Sequence, residues 1–154
     1  TIDGGAGNDS ITGGAAADTI DVSSGNDVLV YTTLTDSVLS SGTSNTGFDT
    51  LTGFAANTAA AGSTANGDRF DVAAGQAATV AAQVSVAGAG SLAATLATQA
   101  LAANGVSLIT VTGSVSYAGN YVVIDGDATA GYNFATDAVI NVNTLANITT
   151  NTFI

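Results

Sequence analysis

The sequence predicts an all-β protein with one short helix, a parallel β-roll or β-helix closed by a C-terminal capping region. Three observations carry this expectation. Asp9, Asp18, Asp27 and Asp36 recur every nine residues, Ile2, Ile11, Ile20, Leu29 and Val38 keep the same step two positions later, and glycine-rich turns precede the first aspartates. One period shared by two chemically different registers is the mark of a solenoid, whose repeats bury their apolar faces only against each other.

The first unit, Gly4-Gly5-Ala6-Gly7-Asn8-Asp9-Ser10-Ile11-Thr12, fits the nonapeptide G-G-x-G-x-D-x-apolar-x of calcium-binding parallel β-helices. The second, Gly13 to Asp21, keeps Gly13, Gly14, Asp18 and Ile20 but has Ala16 and Ala17 where Gly and Asn stood. The third, Val22 to Val30, loses its first glycine and keeps Gly25, Asn26, Asp27 and Leu29. The glycine-rich part turns the chain through positive φ and leaves carbonyls bare to face a cation. The Asp-x-apolar strand that follows sends Ile or Leu inward.

Two such half-turns make a coil of eighteen residues, so Asp9 is expected over Asp27 and, on the opposite edge, Asp18 over Asp36. Coils stack at ~4.8 Å. At an effective dielectric of ~20, two carboxylates ~5 Å apart repel by roughly 3 kcal/mol, a large share of the ~5–15 kcal/mol that holds a domain together. The roll is therefore expected to need divalent cations. Several Ca²⁺ ions suit it, because calcium accepts many flexible oxygen ligands at ~2.3–2.6 Å, whereas magnesium is smaller and stricter.

Composition narrows the function further. All 12 acids are Asp, Arg69 is the single base, and the net charge is -11, which disfavours nucleic acid and anionic membrane surfaces as partners. The chain has no His, Cys, Met, Trp, Lys or Pro, removing disulfides, thiolate and imidazole metal sites and most nucleophile–base pairs. No enzyme is expected. An Asp pair of the glycosidase kind is disfavoured too, because the aspartates fall in a ligand-like repeat. With 46% hydrophobic residues the chain is expected to fold, and no apolar run approaches the ~18 residues of a membrane span. The pattern is already under way at Thr1, with no initiator Met, so the chain reads as a piece of a larger polypeptide.

Residues 1–75 are expected to form the roll with loop insertions and 76–154 the capping region, as one continuous unit. Residues 41–67 are rich in Ser, Thr, Asn, Gly and Ala, and loops are expected to protrude there. A helix is predicted from Ser91 to Ala103, with Ser91 as N-cap, Leu92 and Leu96 on one face and Asn104-Gly105 as the stop; it is expected to cap the open end of the roll. Val106 to Val111 reads as a strand. Val115-Ser116-Tyr117 and Tyr121-Val122-Val123 read as a hairpin about Ala118-Gly119-Asn120, and Val139 to Val142 as a last strand. An uncovered solenoid end invites pairing, so the C-terminal half either caps the roll or docks to a neighbouring subunit.

Residues 1 to about 40 resemble the repeat-in-toxin family of proteins exported by type I secretion machines, which includes toxins, serralysin-like proteases, adhesins and calcium-dependent surface-layer proteins. The resemblance implies that Gly4, Gly5, Ala6, Gly7 and Asn8 offer loop oxygens to calcium, with Asp9 and Asp27 as carboxylate ligands. Gly13, Gly14, Gly25 and Asn26 stand at equivalent loop positions. Asp18 and Asp36 would be a poorer pair, since Tyr31 to Asp36 has lost every glycine.

Gly47 to Phe54 and Asn66 to Val72 are similar to the segment that closes such rolls, which makes Asp49 and Asp68 further calcium candidates and leaves Arg69 to pair with a nearby Asp. Tyr121 to Asp127, Ala130 to Asn133 and Asp137 to Ile140 are similar to the segment before the end of many type I secreted surface proteins. There Asp125 and Asp127 either hold a capping cation or form a solvated turn. The hydroxyl-rich tail ending in Phe153-Ile154 resembles the family's uncleaved export signal. Taken together, the resemblance implies an extracellular, cell-surface protein of bacteria that folds on calcium after export. A surface-layer or adhesin parent that self-associates is favoured, the alternative being the secretion domain of a protease or lipase.

Overall fold

The computed structural model describes residues 1–56, 67–72, 79–101, 103–127 and 129–154. Its N-terminal part is a roll with two walls. One wall contains β1 (Ile2–Asp3), β3 (Thr19–Asp21) and β5 (Asp49–Thr52); the other is β2 (Ser10–Ile11), β4 (Val28–Tyr31) and β6 (Arg69–Val72). All pairings within the walls are parallel. Ile2 lies on Ile20 and Ile11 on Leu29, the eighteen-residue coil that the nine-residue step predicts.

After Tyr31 the coil no longer repeats. Leu34–Ser37 forms a 3₁₀ turn, so Val38 leaves the strand register, and the third rung of each wall comes from farther along: Leu51 pairs with Ile20, and Phe70 with Leu29. Of the expected loops of 41–67, residues 41–48 and 53–55 are loops, Asp49–Thr52 instead forms β5 of the wall, and residues 57–66 lie outside the described residues.

The first wall continues through β10 (Ala138–Val142), β9 (Gly119–Ile124), β8 (Val106–Thr112) and β7 (Val84–Ala87) into a seven-stranded sheet ordered β1-β3-β5-β10-β9-β8-β7. β10 runs parallel to β5, β9 is antiparallel to β10 and to β8, and β7 is parallel to β8. The β8–β9 hairpin differs from the expected one. Val115 to Tyr117 belongs to the connection, because Gly113 turns the chain at φ 107° and Tyr117 drops into the core with its hydroxyl donating to Gly90 O at 3.1 Å. Gly119 then pairs with Val111.

Period-two alternation divides the sheet into two faces. Ile20, Leu51, Val122, Ile124 and Ile140 point into the roll core, where Ile11, Leu29, Phe54 and Phe70 meet them. Ile109, Val111, Tyr121, Val123 and Val139 point the other way, under α1 (Leu92–Leu96). The helix thus covers the outer sheet face and does not cap the end of the roll. It is also shorter than predicted. Ser91 caps it as expected, accepting from Ala94 N at 3.1 Å, but Thr98 Oγ1 and Gln99 Nε2 both donate to Thr95 O, and Gln99 N turns to Leu96 O. Those side chains compete with the backbone ladder and end it.

The C-terminal residues close the second wall. Phe153 bridges Phe70 with stacked rings 5.4 Å apart, Ile154 N donates to Phe70 O at 2.9 Å, and Leu145 and Ile148 are buried in the roll core. No helix among the described residues is long and apolar enough to cross a membrane.

Candidate metal centre

The loops stack as the coils do. Ala6 bridges Ser24 in parallel, Gly4 N donates to Asp21 O at 2.9 Å and Gly7 N to Ser24 O at 3.0 Å. Gly5 and Gly7 take φ of 78° and 135°, and a Cβ on Gly25 would overlap the carbonyl of Gly7. Loop 13–18 makes the same turn less comfortably, with Gly14 at φ 83° and Ala16, standing where Gly7 does, forced to φ 81°. Each fully described loop on the first edge is entered through an aspartate the sequence reading missed: Asp3 Oδ1 accepts from Gly5 N at 2.9 Å, and Asp21 Oδ1 from Ser23 N at 3.0 Å. Their two-residue offset to a loop amide is the usual Asx-turn signal.

The repeat aspartates form columns joined by hydrogen bonds. Asp9 N donates to Asp27 Oδ1 at 2.9 Å and Asp27 N to Asp68 Oδ1 at 2.9 Å, while Asp68 Oδ2 accepts from Ala55 N at 2.8 Å. An asparagine ladder runs beside this column in the opposite sense, Asn26 N donating to Asn8 Oδ1 at 3.0 Å and Gly67 N to Asn26 Oδ1 at 2.5 Å. The carboxylates of Asp27 and Asp68 therefore each accept an amide from the neighbouring coil, which offsets part of the like-charge repulsion along the column.

On the opposite edge Asp18 stacks on Asp49, not on Asp36. Asp49 Oδ1 accepts from Asp18 N at 2.8 Å and Oδ2 from Tyr31 Oη at 2.9 Å. With no glycine to build a loop, Asp36 sits in the 3₁₀ turn, its Oδ1 accepting from Thr33 Oγ1 at 2.9 Å. Ser37, which the sequence reading also missed, donates to Val139 O at 2.6 Å and accepts from Asp49 N at 2.8 Å. Burial pushes the Asp49 carboxyl up to about 6 and raises Asp68 and Asp137 above the usual range.

The residues fit calcium at the first loop. Asp9 Oδ2 is buried and has no hydrogen-bond partner. It lies inside the glycine loop: a Cβ on Gly4 would stand 3.7 Å from it and one on Gly7 4.0 Å. Leaving a buried carboxylate oxygen without a donor is costly unless a cation takes that place. Asp18 Oδ2 lies likewise 3.2 Å from a Cβ on Gly13. Among the described residues no three carboxylates converge on one point, so any ion here would draw most of its ligands from backbone carbonyls, a donor set that suits calcium. Both oxygens of Asp49 and of Asp68 hold donors, Asp18 N and Tyr31 Oη on the first and Asp27 N and Ala55 N on the second. Beside the Asp9–Asp27 column lies a cavity of about 280 Å³ that Arg69 lines together with Asn8 and Asn26.

The C-terminal pair divides. Asp127 is a half-buried turn residue held below its usual range by hydrogen bonds from Thr129 N, Asn133 and Thr136. Asp125 is buried; its Oδ1 accepts from Asp127 N at 3.1 Å and Asn104 N at 3.2 Å, and its Oδ2 has no partner. Asp137, overlooked as a site residue, accepts from Gly126 N at 3.0 Å and Asn133 N at 2.7 Å and ties this turn to β10.

Stacked glycine–aspartate loops on a two-walled parallel roll define a class of calcium-binding structural repeat. A family model for the RTX calcium-binding nonapeptide repeat (4 copies) matches residues 1–29 of this chain. No curated protein and no solved structure matches the chain.

Proposed function

We propose that this chain is a calcium-dependent structural segment of a type I secreted bacterial surface-layer or adhesin protein, folding and self-associating outside the cell and performing no catalysis of its own. The observation that carries the calcium reading is the buried, unpartnered Asp9 Oδ2 inside the glycine loop of the repeat. Bound calcium would supply the positive charge that the aspartate columns lack. Asp9, the carbonyls of Gly4 to Asn8 and the stacked loop of Gly25, Asn26 and Asp27 would hold it, with loop 13–18 as a second site around Asp18. In the folded chain Asp27 is held in place by the Asp9 amide, while Asp9 Oδ2 is left for the ion.

At the scarce calcium of the cytosol the columns would remain uncompensated and the chain exportable; at the ~10⁻⁴–10⁻³ M affinities of extracellular modules the loops would fill and folding would follow. Circular dichroism with chelator and after calcium addition tests this. The β-sheet signal is expected to fall in chelator and return with calcium, and an unchanged spectrum rejects the switch. Calcium-dependent sheets or filaments in electron micrographs would support the surface-layer assignment.

A further inference from the structure

The outer face of the seven-stranded sheet is apolar beneath α1 but turns polar at one place. Thr50 of β5, Asn141 of β10 and Tyr121 of β9 are direct cross-strand neighbours and form a row across three strands. They floor a pocket of about 320 Å³, within the size range of small-ligand sites. The loop before β5 supplies one wall with Asn45 and Phe48; the β8–β9 connection supplies the other with Ser116.

Every group lining this pocket is neutral, in a chain of net charge -11. Phe48, partly exposed, meets Tyr121 edge to face with centroids 5.6 Å apart, so an aromatic wall is braced from behind. Two amides are oriented from outside the pocket. Asn45 Oδ1 accepts from Leu92 N at 2.5 Å, leaving its NH₂ to donate, and Asn141 Nδ2 donates to Asn120 O at 3.1 Å, leaving its Oδ1 to accept. The hydroxyls of Thr50 and Ser116 add groups that can do either.

We infer that this pocket binds one ring of a neutral saccharide, which would lay its C–H face on Phe48 and share its hydroxyls with Asn45, Asn141, Thr50 and Ser116. An anion finds no cation there and a cation no carboxylate. With no acid in the lining the pocket would bind without cleaving. The inference does not rest on the calcium reading, since none of the residues that line the pocket belongs to the glycine loops.

The test uses the full chain in calcium, with glucose, galactose, mannose and N-acetylglucosamine as probes and glucuronate as the charged control, followed by NMR. Saturable, millimolar shifts of the Thr50 and Asn141 amides are expected with at least one neutral sugar. Phe48→Ala is expected to weaken binding about tenfold, the worth of an aromatic contact. Ser116→Trp, at an exposed site with no hydrogen bond among the described residues, fills the pocket without disturbing the core and is expected to abolish binding. The absence of saturable shifts with all four sugars, binding that survives Ser116→Trp, or tighter binding of glucuronate would overturn the inference. A chain that fails to fold without calcium bears only on the loops.

Discussion

Asp18 donates its backbone amide to the carboxylate of Asp49, thirty-one residues away, at 2.8 Å. Nothing in the nine-residue step brings these two together; the step points to Asp36. The contact shows what the aspartates do besides facing a cation. They replace the missing amide acceptors where the coils turn, and so carry the stacking of the roll into rungs whose glycines have gone.

The first prediction concerns that carboxylate. Burial raises Asp49 from 3.8 to about 6, and Asp68 and Asp137 shift the same way. Between these two values the folded chain keeps a proton on Asp49 that the unfolded chain has released. The associated stability is full below the unfolded value and is lost as pH rises through the folded one, on the order of 3 kcal/mol for a shift of roughly two units. Thermal midpoints in saturating calcium are expected to be lower at about pH 7.5 than at about pH 5.

Asp27 separates hydrogen bonding from charge. Asp27→Ala leaves the Asp9 amide without its acceptor and is expected to cost about 1–3 kcal/mol in urea unfolding of the calcium-loaded chain. Asp27→Asn retains an acceptor and removes a negative charge from the column. In chelator it is expected to keep at least as much residual β-sheet signal as the original chain, while its calcium affinity by titration calorimetry falls.

Ala16 stands at φ 81° where the repeat elsewhere uses glycine. A left-handed alanine costs roughly 1–2 kcal/mol, of which the greater freedom of glycine in the unfolded chain returns about half. Ala16→Gly is therefore expected to raise stability by about 0.5–1 kcal/mol and to tighten calcium binding at loop 13–18. Gly7→Ala should act in the opposite sense, measured by the same two experiments.

Phe153 closes the roll by stacking on Phe70. Phe153→Ala opens that end and is expected to cost about 3 kcal/mol, the usual loss for a buried phenylalanine. Hydrogen exchange should show the Val72 amide, which donates to Ile154 O at 3.3 Å, losing protection first.

Much of the site was legible before the fold. The spacing of Gly4, Gly5, Gly7 and Asp9 and its partial repeats place the loops, the inward Ile and Leu column and the Asp9–Asp27 contact, because all of these follow from a short local period. Asp36 misled, since its register holds while the glycines needed to build a loop are gone. Tyr31 and Ser37 carry no sequence signal for their bonds to Asp49. The helix was legible at its N-cap and overextended at its end, where two side chains take the carbonyl that the next turn needed.

From the sequence alone came the coil length and the turn chemistry, which depend on neighbours within eighteen positions, and the oxygen-only character of any metal site, which follows from the absence of His and Cys. Folding in space determined that Asp49 and Asp68 complete the columns, that β10 to β7 extend one wall, and that Phe48, Tyr121 and Asn141 share a pocket. Those pairings close long loops, and loop closure depends so weakly on length that no spacing along the chain announces them.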